Sequence, residues 1–246
     1  MARPTFSHSI YTRNIGDHSC CPRYYFREWN DCPVASLVTC PTCPVVFGGG
    51  GFYSEVFDVF LRAGEGLKVI WGMGTNEPLA RSAHYLYEMK DFDLVGCRDW
   101  GSPFEYVPCP SVMASEFDVA KLVEPTRDVV IYEGWADSIY INGFSTLSNH
   151  ICHGLAGVLS HLASGRVVLT NSYHGVYWAQ LLGRKVTGWQ LGSNKFRYMK
   201  YPIHSVSQVD QIVSEAVEAP STFLEECREL NRAFNVKVCR LFGGAS

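Results

Sequence analysis

The feature that most constrains the fold is a series of short apolar runs that end in glycine or in small polar residues. In the first half of the chain they are residues 43–52, 66–75, 93–100 and 104–113. The segments 54–63 and 77–90 between them have the periodicity of amphipathic helices. Strands that alternate with helices in this way predict an α/β fold with a parallel sheet covered on both faces.

The same alternation begins again after a loop at residues 123–128. Strands are predicted at 128–134, 166–170 and 184–190, and helices at 147–164, from about Gly175, and after Ser221 or Thr222. Ser148 is the predicted N-cap of the first of these helices. We therefore expect two Rossmann-like domains, 1–124 and 125–246, with a boundary near Pro125 and a ligand cleft between them. The last helix is free to pack back on the first domain.

Composition excludes several classes of protein. The chain has 246 residues and a net charge of −3 without a long basic run, which argues against nucleic acid as the main partner. No stretch reaches the roughly 18 to 20 apolar residues of a membrane span. The first 18 residues lack the apolar centre of a signal peptide. We therefore expect a cytoplasmic protein without a membrane span, while its oligomeric state is not predicted.

Ten cysteines are a large number for a chain without a secretion signal. Cys40 and Cys43 form a C-x-x-C pair, which raises zinc as a hypothesis. Pro41 and Pro44 flank the pair, and no second C-x-x-C or histidine pair follows at a suitable distance. We therefore expect reduced thiols and no metal, with most of the cysteines acting as small buried hydrophobic residues.

Glycines and one aspartate mark the ends of the first predicted strands. The run 48–51 contains Gly50 and Gly51, but the dinucleotide-binding pattern fails because its last position is Tyr53. The pattern also fails in "GMGTNE", and no Walker A lysine follows either loop. The glycines serve either tight packing turns or close approach of a ligand to the backbone. Asp17 lies in a turn after an opening strand near "HSIYT", where it either caps a helix or accepts a sugar hydroxyl.

His174 lies between an apolar run and a helical run in "VVLTNSYHGVYWAQLLGRKV". A strand that ends in small polar residues and turns into a helix presents free backbone N–H groups, which favour an anion. Imidazole titrates near neutral pH, so His174 is a candidate acid or base. A structural histidine at the start of the helix is the alternative. From the residues alone, the prediction is a two-domain α/β protein that binds a ligand.

Several motifs together resemble the polysaccharide pyruvyl transferase family. They appear in the family's order across residues 13–196: "NIGD", "VVFGGGGF", "VIWGMGTN", "VGCRD", "YVPCPSVM" and "TNSYHGVYWAQLLGRKV", then "NKF". The resemblance implies a GT-B-like arrangement of two domains. It also implies transfer of pyruvate from phosphoenolpyruvate to a pair of sugar hydroxyls as a ketal. Phosphoenolpyruvate and a saccharide acceptor are then the partners, and no cofactor or metal is required.

The resemblance also suggests roles for individual residues. His174 would exchange protons with the substrate, within reach of Lys195 or Arg197, which would hold phosphate or carboxylate. Ser172 stands where the family often has an arginine, and it would contact the phosphate through its hydroxyl or the helix start. Arg98 would bind the carboxylate or pair with Asp99. The alternatives are a GT-B glycosyltransferase that uses a nucleotide sugar and a non-catalytic protein that binds a sugar or an anion.

Overall fold

The computed structural model describes residues 3–36, 44–52, 66–75, 91–134 and 138–243. The described residues form two separate parallel sheets with helices, so the fold is α/β. The predicted helices 54–63 and 77–90 lie outside the described residues, and so do Cys40 and Cys43.

The first sheet is built from residues 5–106. Its strands are β1 Thr5–His8, β2 Val34–Ser36, β3 Val45–Gly48, β4 Gly51–Phe52, β5 Lys68–Thr75, β6 Leu94–Cys97 and β7 Glu105–Tyr106. The order is β2-β1-β3-β5-β6-β7, β4 pairs with β5 off this path, and every pair is parallel. The central strands β3 and β5 are buried almost throughout, which explains their continuous apolar runs.

The second sheet is built from residues 127–206. Its strands are β8 Arg127–Glu133, β9 Ser145–Ser148, β10 Gly165–Thr170, β11 Lys185–Trp189 and β12 Ser205–Val206. The order is β12-β11-β10-β8-β9, again with parallel pairs throughout. The predicted strands at 128–134, 166–170 and 184–190 correspond to β8, β10 and β11.

Both sheets share one rule of strand order. In each, the first strand has the second on one side and the third on the other, as in the 2-1-3-4-5 order of flavodoxin-like sheets. The direction of winding therefore reverses between β1 and β3, and again between β8 and β10. Ligands of open α/β sheets bind outside the carboxyl ends of the strands at such a point.

The described helices vary greatly in length. They are α1 Ile15–His18, α2 Glu116–Ala120, α3 Gly154–Ala163, α4 Tyr173–Leu181, α5 Gln211–Ser214 and α6 Phe223–Leu241. Short 3₁₀ turns are Pro22–Tyr24, Arg27–Trp29, Pro110–Met113, Ile151–His153 and Asn194–Tyr198. Within the described part of the chain, none of the helices combines the length and apolar character needed to cross a membrane.

Three sequence predictions of local structure are wrong. Ser148 is not an N-cap, because it is the last residue of β9 and pairs with Glu133 of β8, and the helix begins at Gly154. The opening strand ends at His8 and does not continue through "HSIYT". The predicted strand 104–113 is reduced to Glu105–Tyr106, because prolines at 108 and 110 cannot donate to a ladder.

The last helix, α6, packs on the first sheet although it follows the second in the chain. Phe234 and Val238 share a core cluster with Trp71 of β5. The Trp71 indole N–H donates to Asn231 Oδ1 at 2.9 Å, and the Trp29 indole N–H donates to Asn235 Oδ1 at 2.7 Å. The C-terminal helix therefore packs against the sheet that the N-terminal half of the chain forms.

Loops at the carboxyl ends of the two sheets are in direct contact. Asn149, after β9, donates to Asn14 Oδ1 at 2.7 Å. Its own Oδ1 accepts from the Tyr132 hydroxyl at 2.7 Å and from the Gly16 N–H at 3.3 Å. The Ile151 N–H donates to the Arg13 carbonyl at 2.7 Å. The loops that follow β1 and β9 therefore connect the two sheets directly.

Candidate functional site

Helix α4 begins directly after β10 and lies tight against the second sheet. Ser172 is its N-cap, and the Ser172 hydroxyl accepts from the Gly175 N–H at 3.4 Å. A side chain at Gly175 would overlap the Thr170 hydroxyl and the Tyr132 ring, so only glycine allows this approach. The hydroxyl predicted to contact phosphate is thus engaged as a helix cap.

One face of α4 contacts a segment of the first half of the chain. The Tyr177 hydroxyl donates to the Cys109 carbonyl at 3.1 Å, and the Trp178 indole N–H donates to Ser111 Oγ at 3.0 Å. His174 lies on the same face, because residues three and four apart are neighbours on a helix. The helix therefore holds His174 against a segment from the first half of the chain.

Cys20, Cys109 and His174 form a buried group that we call the thiol–imidazole cluster. His174 Nε2 lies 3.1 Å from Cys20 Sγ and 3.6 Å from Cys109 Sγ, and the two sulfur atoms are 3.1 Å apart. The thiols are 0% exposed and His174 is 3% exposed. The other ring nitrogen, Nδ1, packs so closely against Gly16 that a side chain there would overlap it. Both ring nitrogens of His174 thus face protein atoms.

The two thiols of the cluster are not equivalent. Burial raises the pKa of Cys20 well above its ordinary value, and the neighbouring Cys109 adds to this. Burial also opposes ionisation of Cys109, but hydrogen bonds from Cys20, His174 and Ser111 favour the Cys109 thiolate more strongly. The pKa of Cys109 is therefore lowered well below its ordinary value.

Arg98 is a buried cation, and two of its three guanidinium nitrogens are unsatisfied among the described residues. It is 3% exposed, and its guanidinium carbon lies 3.8 Å from the centroid of the Tyr173 ring. Nε and Nη1 are buried and find no hydrogen-bond partner among the described residues. Since a buried guanidinium is normally paired, this arrangement points to an anionic ligand.

The ends of β5 and β6 hold Arg98 in place. Asp99 is also buried, and its Oδ2 accepts from the Thr75 N–H at 2.8 Å and from the Thr75 hydroxyl at 2.5 Å. Burial raises the pKa of Asp99. A side chain at Gly74 would overlap both Arg98 and Asp99. Gly74 therefore leaves space for the side chains of Arg98 and Asp99.

Lys195 belongs to a pocket that His174 does not line. It lines a polar pocket of about 560 Å³ whose other residues are Ser138, Asn171, Trp189, Gln190, Leu191, Gly192, Ser193 and Phe196. Its ammonium lies 5.2 Å from the centroid of the Phe196 ring. Arg197, on the same 3₁₀ turn, is exposed and does not line this pocket. The pocket lies at the carboxyl ends of β10 and β11.

Asp17 and the glycine loop meet at the reversal point of the first sheet. The cap of α1 is Asn14, whose Oδ1 accepts from the N–H groups of Gly16 and Asp17, while Asn14 Nδ2 donates to Asp17 Oδ2 at 3.0 Å. Gly50 has a φ of +80° and lies directly over Asp17 Oδ1. Gly51 begins β4. Asp17 therefore stabilises the position of Asn14, the residue that caps α1.

The structure brings together some of the predicted site residues and separates others. Arg98 and His174 both lie at the start of α4, since Arg98 stacks on Tyr173, while Lys195 lines the pocket at the second sheet. Asp17 and Gly50 lie together at the first sheet. Sequence reasoning missed Cys20, Cys109 and Tyr173. Of these three residues, only Tyr173 had a local signal in the sequence, because it directly precedes the predicted site residue His174.

Comparisons with known proteins add little to this description. No protein-family model matches the chain, and no curated protein matches it. Among solved structures, it is similar to a functionally uncharacterised protein from Klebsiella pneumoniae. That likeness has a TM-score of 0.46 and 17% sequence identity, and it covers 76% of this chain and 83% of the other. At this level the similarity carries no functional argument.

Proposed function

We propose that the protein binds phosphoenolpyruvate and transfers its pyruvyl group to a saccharide acceptor, as in polysaccharide pyruvyl transferases. The observation that carries this proposal is Arg98, a buried guanidinium at the junction of the two sheets, with two nitrogens that find no hydrogen-bond partner in the described part of the chain. A fork of N–H donors suits the planar carboxylate or the phosphate of such a substrate. The family-like motifs also lie at the carboxyl ends of strands, where substrates of α/β proteins bind.

The proposal includes a GT-B-like arrangement of two Rossmann-like domains. The separate sheets support it, because the first ends at Tyr106 and the second begins at Arg127, on either side of the predicted boundary near Pro125. The contact between the loops after β1 and β9 supports a substrate cleft between the domains. The pocket that contains Lys195 is the proposed place for the saccharide acceptor, because polar side chains line it.

The predicted role of His174 as proton donor is the part of this mechanism that the geometry supports least. Nε2 faces the two thiols and Nδ1 faces Gly16, so neither nitrogen is directed at an open site. Direct proton transfer to a substrate would require the ring to leave the thiol–imidazole cluster. The proposal therefore depends on Arg98 and not on His174.

Ligand binding to Arg98 variants tests the proposal. We expect phosphoenolpyruvate to raise the melting temperature of the protein. In Arg98→Lys, which keeps the charge but loses the fork, phosphoenolpyruvate should bind about 10-fold to 100-fold more weakly in calorimetry, since a charged hydrogen bond contributes about 1.5–3 kcal/mol. Arg127→Lys, on an exposed arginine, is the matched control and should bind as the wild type does.

Three outcomes would contradict the proposal. If a nucleotide sugar raises the melting temperature and phosphoenolpyruvate does not, the protein is a glycosyltransferase instead. If phosphoenolpyruvate binds but no acceptor saccharide releases phosphate, the protein is a non-catalytic binder. Equal affinity of Arg98→Lys and wild type would remove Arg98 from the site.

A further inference from the structure

We infer that the thiol–imidazole cluster is a zinc site, with Cys20, Cys109 and His174 as its protein ligands. The three donor atoms lie within 4.8 Å of one another, and all three residues are buried. The inference goes beyond the proposed function, which needs no metal. It rests on the positions of the donor atoms and on their chemistry.

The donor set suits zinc in type and number. Two thiolates and one imidazole are a ligand combination that Zn²⁺ takes in proteins, and thiolates select soft or borderline cations over magnesium or calcium. Binding would displace one proton from each thiol, so two thiolates neutralise the divalent ion. A neutral site of this kind can be buried, whereas an uncompensated charge could not.

The distances are close to those of a loaded site. With Zn–S bonds of about 2.3 Å and a Zn–N bond of about 2.0 Å, tetrahedral geometry places the sulfurs about 3.8 Å apart and nitrogen and sulfur about 3.5 Å apart. The nitrogen–sulfur distances are 3.1 and 3.6 Å, and the sulfur–sulfur distance is 3.1 Å. Zinc therefore requires the sulfurs to separate by about 0.7 Å, while a disulfide requires them to approach by about 1 Å.

Two protein oxygens contact the sulfur atoms of the cluster. The Gly16 carbonyl oxygen is 2.7 Å from Cys20 Sγ, and Ser111 Oγ is 3.2 Å from Cys109 Sγ. Because the cluster is closed to solvent, we assign the fourth position to one of these oxygens. The site is then structural, and it joins the loop after β1 and the residue 109 segment to helix α4 of the second sheet.

Cobalt is the spectroscopic probe of this inference. The full chain, reduced and stripped with a chelator, should form a 1:1 complex with Co²⁺ that shows thiolate charge-transfer bands and the visible bands of tetrahedral cobalt. Cys20→Ser, Cys109→Ser and His174→Ala should each weaken cobalt binding by at least about 10-fold. Cys21→Ser, a neighbouring buried thiol outside the cluster, and Cys40→Ser/Cys43→Ser should keep the bands.

X-ray absorption of the zinc-loaded wild type makes the test independent of whether the variants fold. The expected first shell has two sulfurs at about 2.3 Å and one nitrogen at about 2.0 Å. Zinc should also raise the melting temperature by about 5 °C or more at a free concentration near 100 times Kd.

Four results would overturn the inference: no cobalt complex in the wild type, bands retained in Cys109→Ser, bands lost in Cys40→Ser/Cys43→Ser, or a Cys20–Cys109 disulfide in the freshly isolated chain. The zinc test is separate from the test of the proposed function. Arg98→Lys is expected to lose affinity for phosphoenolpyruvate and to keep the cobalt bands.

Discussion

His8, the last residue of β1, is a fully buried imidazole in a crowded aromatic setting. Its Nε2 lies 3.0 Å from the Tyr24 hydroxyl, and its Nδ1 finds no partner among the described residues. The His18 ring is 6.5 Å away, centroid to centroid. Burial, together with the nearby charge of His18, lowers the pKa of His8 to about 4. His8 is therefore mostly neutral in the folded protein at pH 5 and above.

A neutral buried histidine predicts a loss of stability in mild acid. Between pH 6.5 and pH 4 the unfolded chain binds a proton at His8 that the folded chain does not, so stability falls as the pH falls through this window. At pH 5 the expected loss is about 2 kcal/mol relative to pH 7. Urea unfolding of the wild type and of His8→Phe at both pH values measures it. The variant should lose about 2 kcal/mol less than the wild type, and equal losses would refute the prediction.

Helix α6 is fixed to the first sheet by asparagines as well as by apolar side chains. Asn231 is 0% exposed, its Oδ1 accepts from the Trp71 indole, and its Nδ2 donates to the Pro108 carbonyl at 3.1 Å. Without Asn231, the Trp71 indole N–H and the Pro108 carbonyl would lose these hydrogen bonds. The helix therefore has one defined position on β5.

Replacement of Asn231 tests this account of α6. Asn231→Leu leaves the Trp71 N–H and the Pro108 carbonyl buried without their partner, so we expect the free energy of unfolding to fall by about 2–4 kcal/mol. Arg232→Leu is the matched control, because the same residue is introduced one position along at an exposed site. Urea titration of both variants measures the difference. If both variants lose a similar free energy of unfolding, the hydrogen bonds of Asn231 do not contribute to stability.

The elements that sequence reasoning found are those with strong local patterns. Strands β3, β5, β8 and β10 are buried apolar runs, and α6 has a long amphipathic pattern. Strands β2, β9 and β12 have two to four residues each and are partly exposed, so no run marks them. Ser148 was predicted to cap a helix because a serine before an apolar run is a local helix-start signal. Its pairing with Glu133 of β8 is a long-range contact that leaves no such local signal. The position of a short edge strand is determined by its pairing with the neighbouring strand of the sheet and not by its own sequence pattern.

The candidate site depends on contacts between residues far apart in the chain, which no local spacing predicts. Arg98 and His174 were predicted because each follows a buried strand and lies in a recognisable motif. Cys20 and Cys109 are 89 residues apart, and Cys20 and His174 are 154 apart. A search for C-x-x-C spacing therefore could not find the cluster. Lys195 was predicted within reach of His174 because its charge suits a phosphate or carboxylate, and it lines a pocket that His174 does not line.

The same long-range contacts predict that the two sheets unfold together. Helix α4 bonds to residues 109 and 111, Asn149 bonds to Asn14, and α6 returns to the first sheet. A weakened α6 should therefore destabilise the second sheet as well. In hydrogen exchange of Asn231→Leu, we expect protection of β8 and β10 to fall as much as that of β3 and β5. Arg232→Leu should leave all four strands protected. If only the first sheet loses protection in Asn231→Leu, the sheets are independent folding units and these contacts are too weak to couple them.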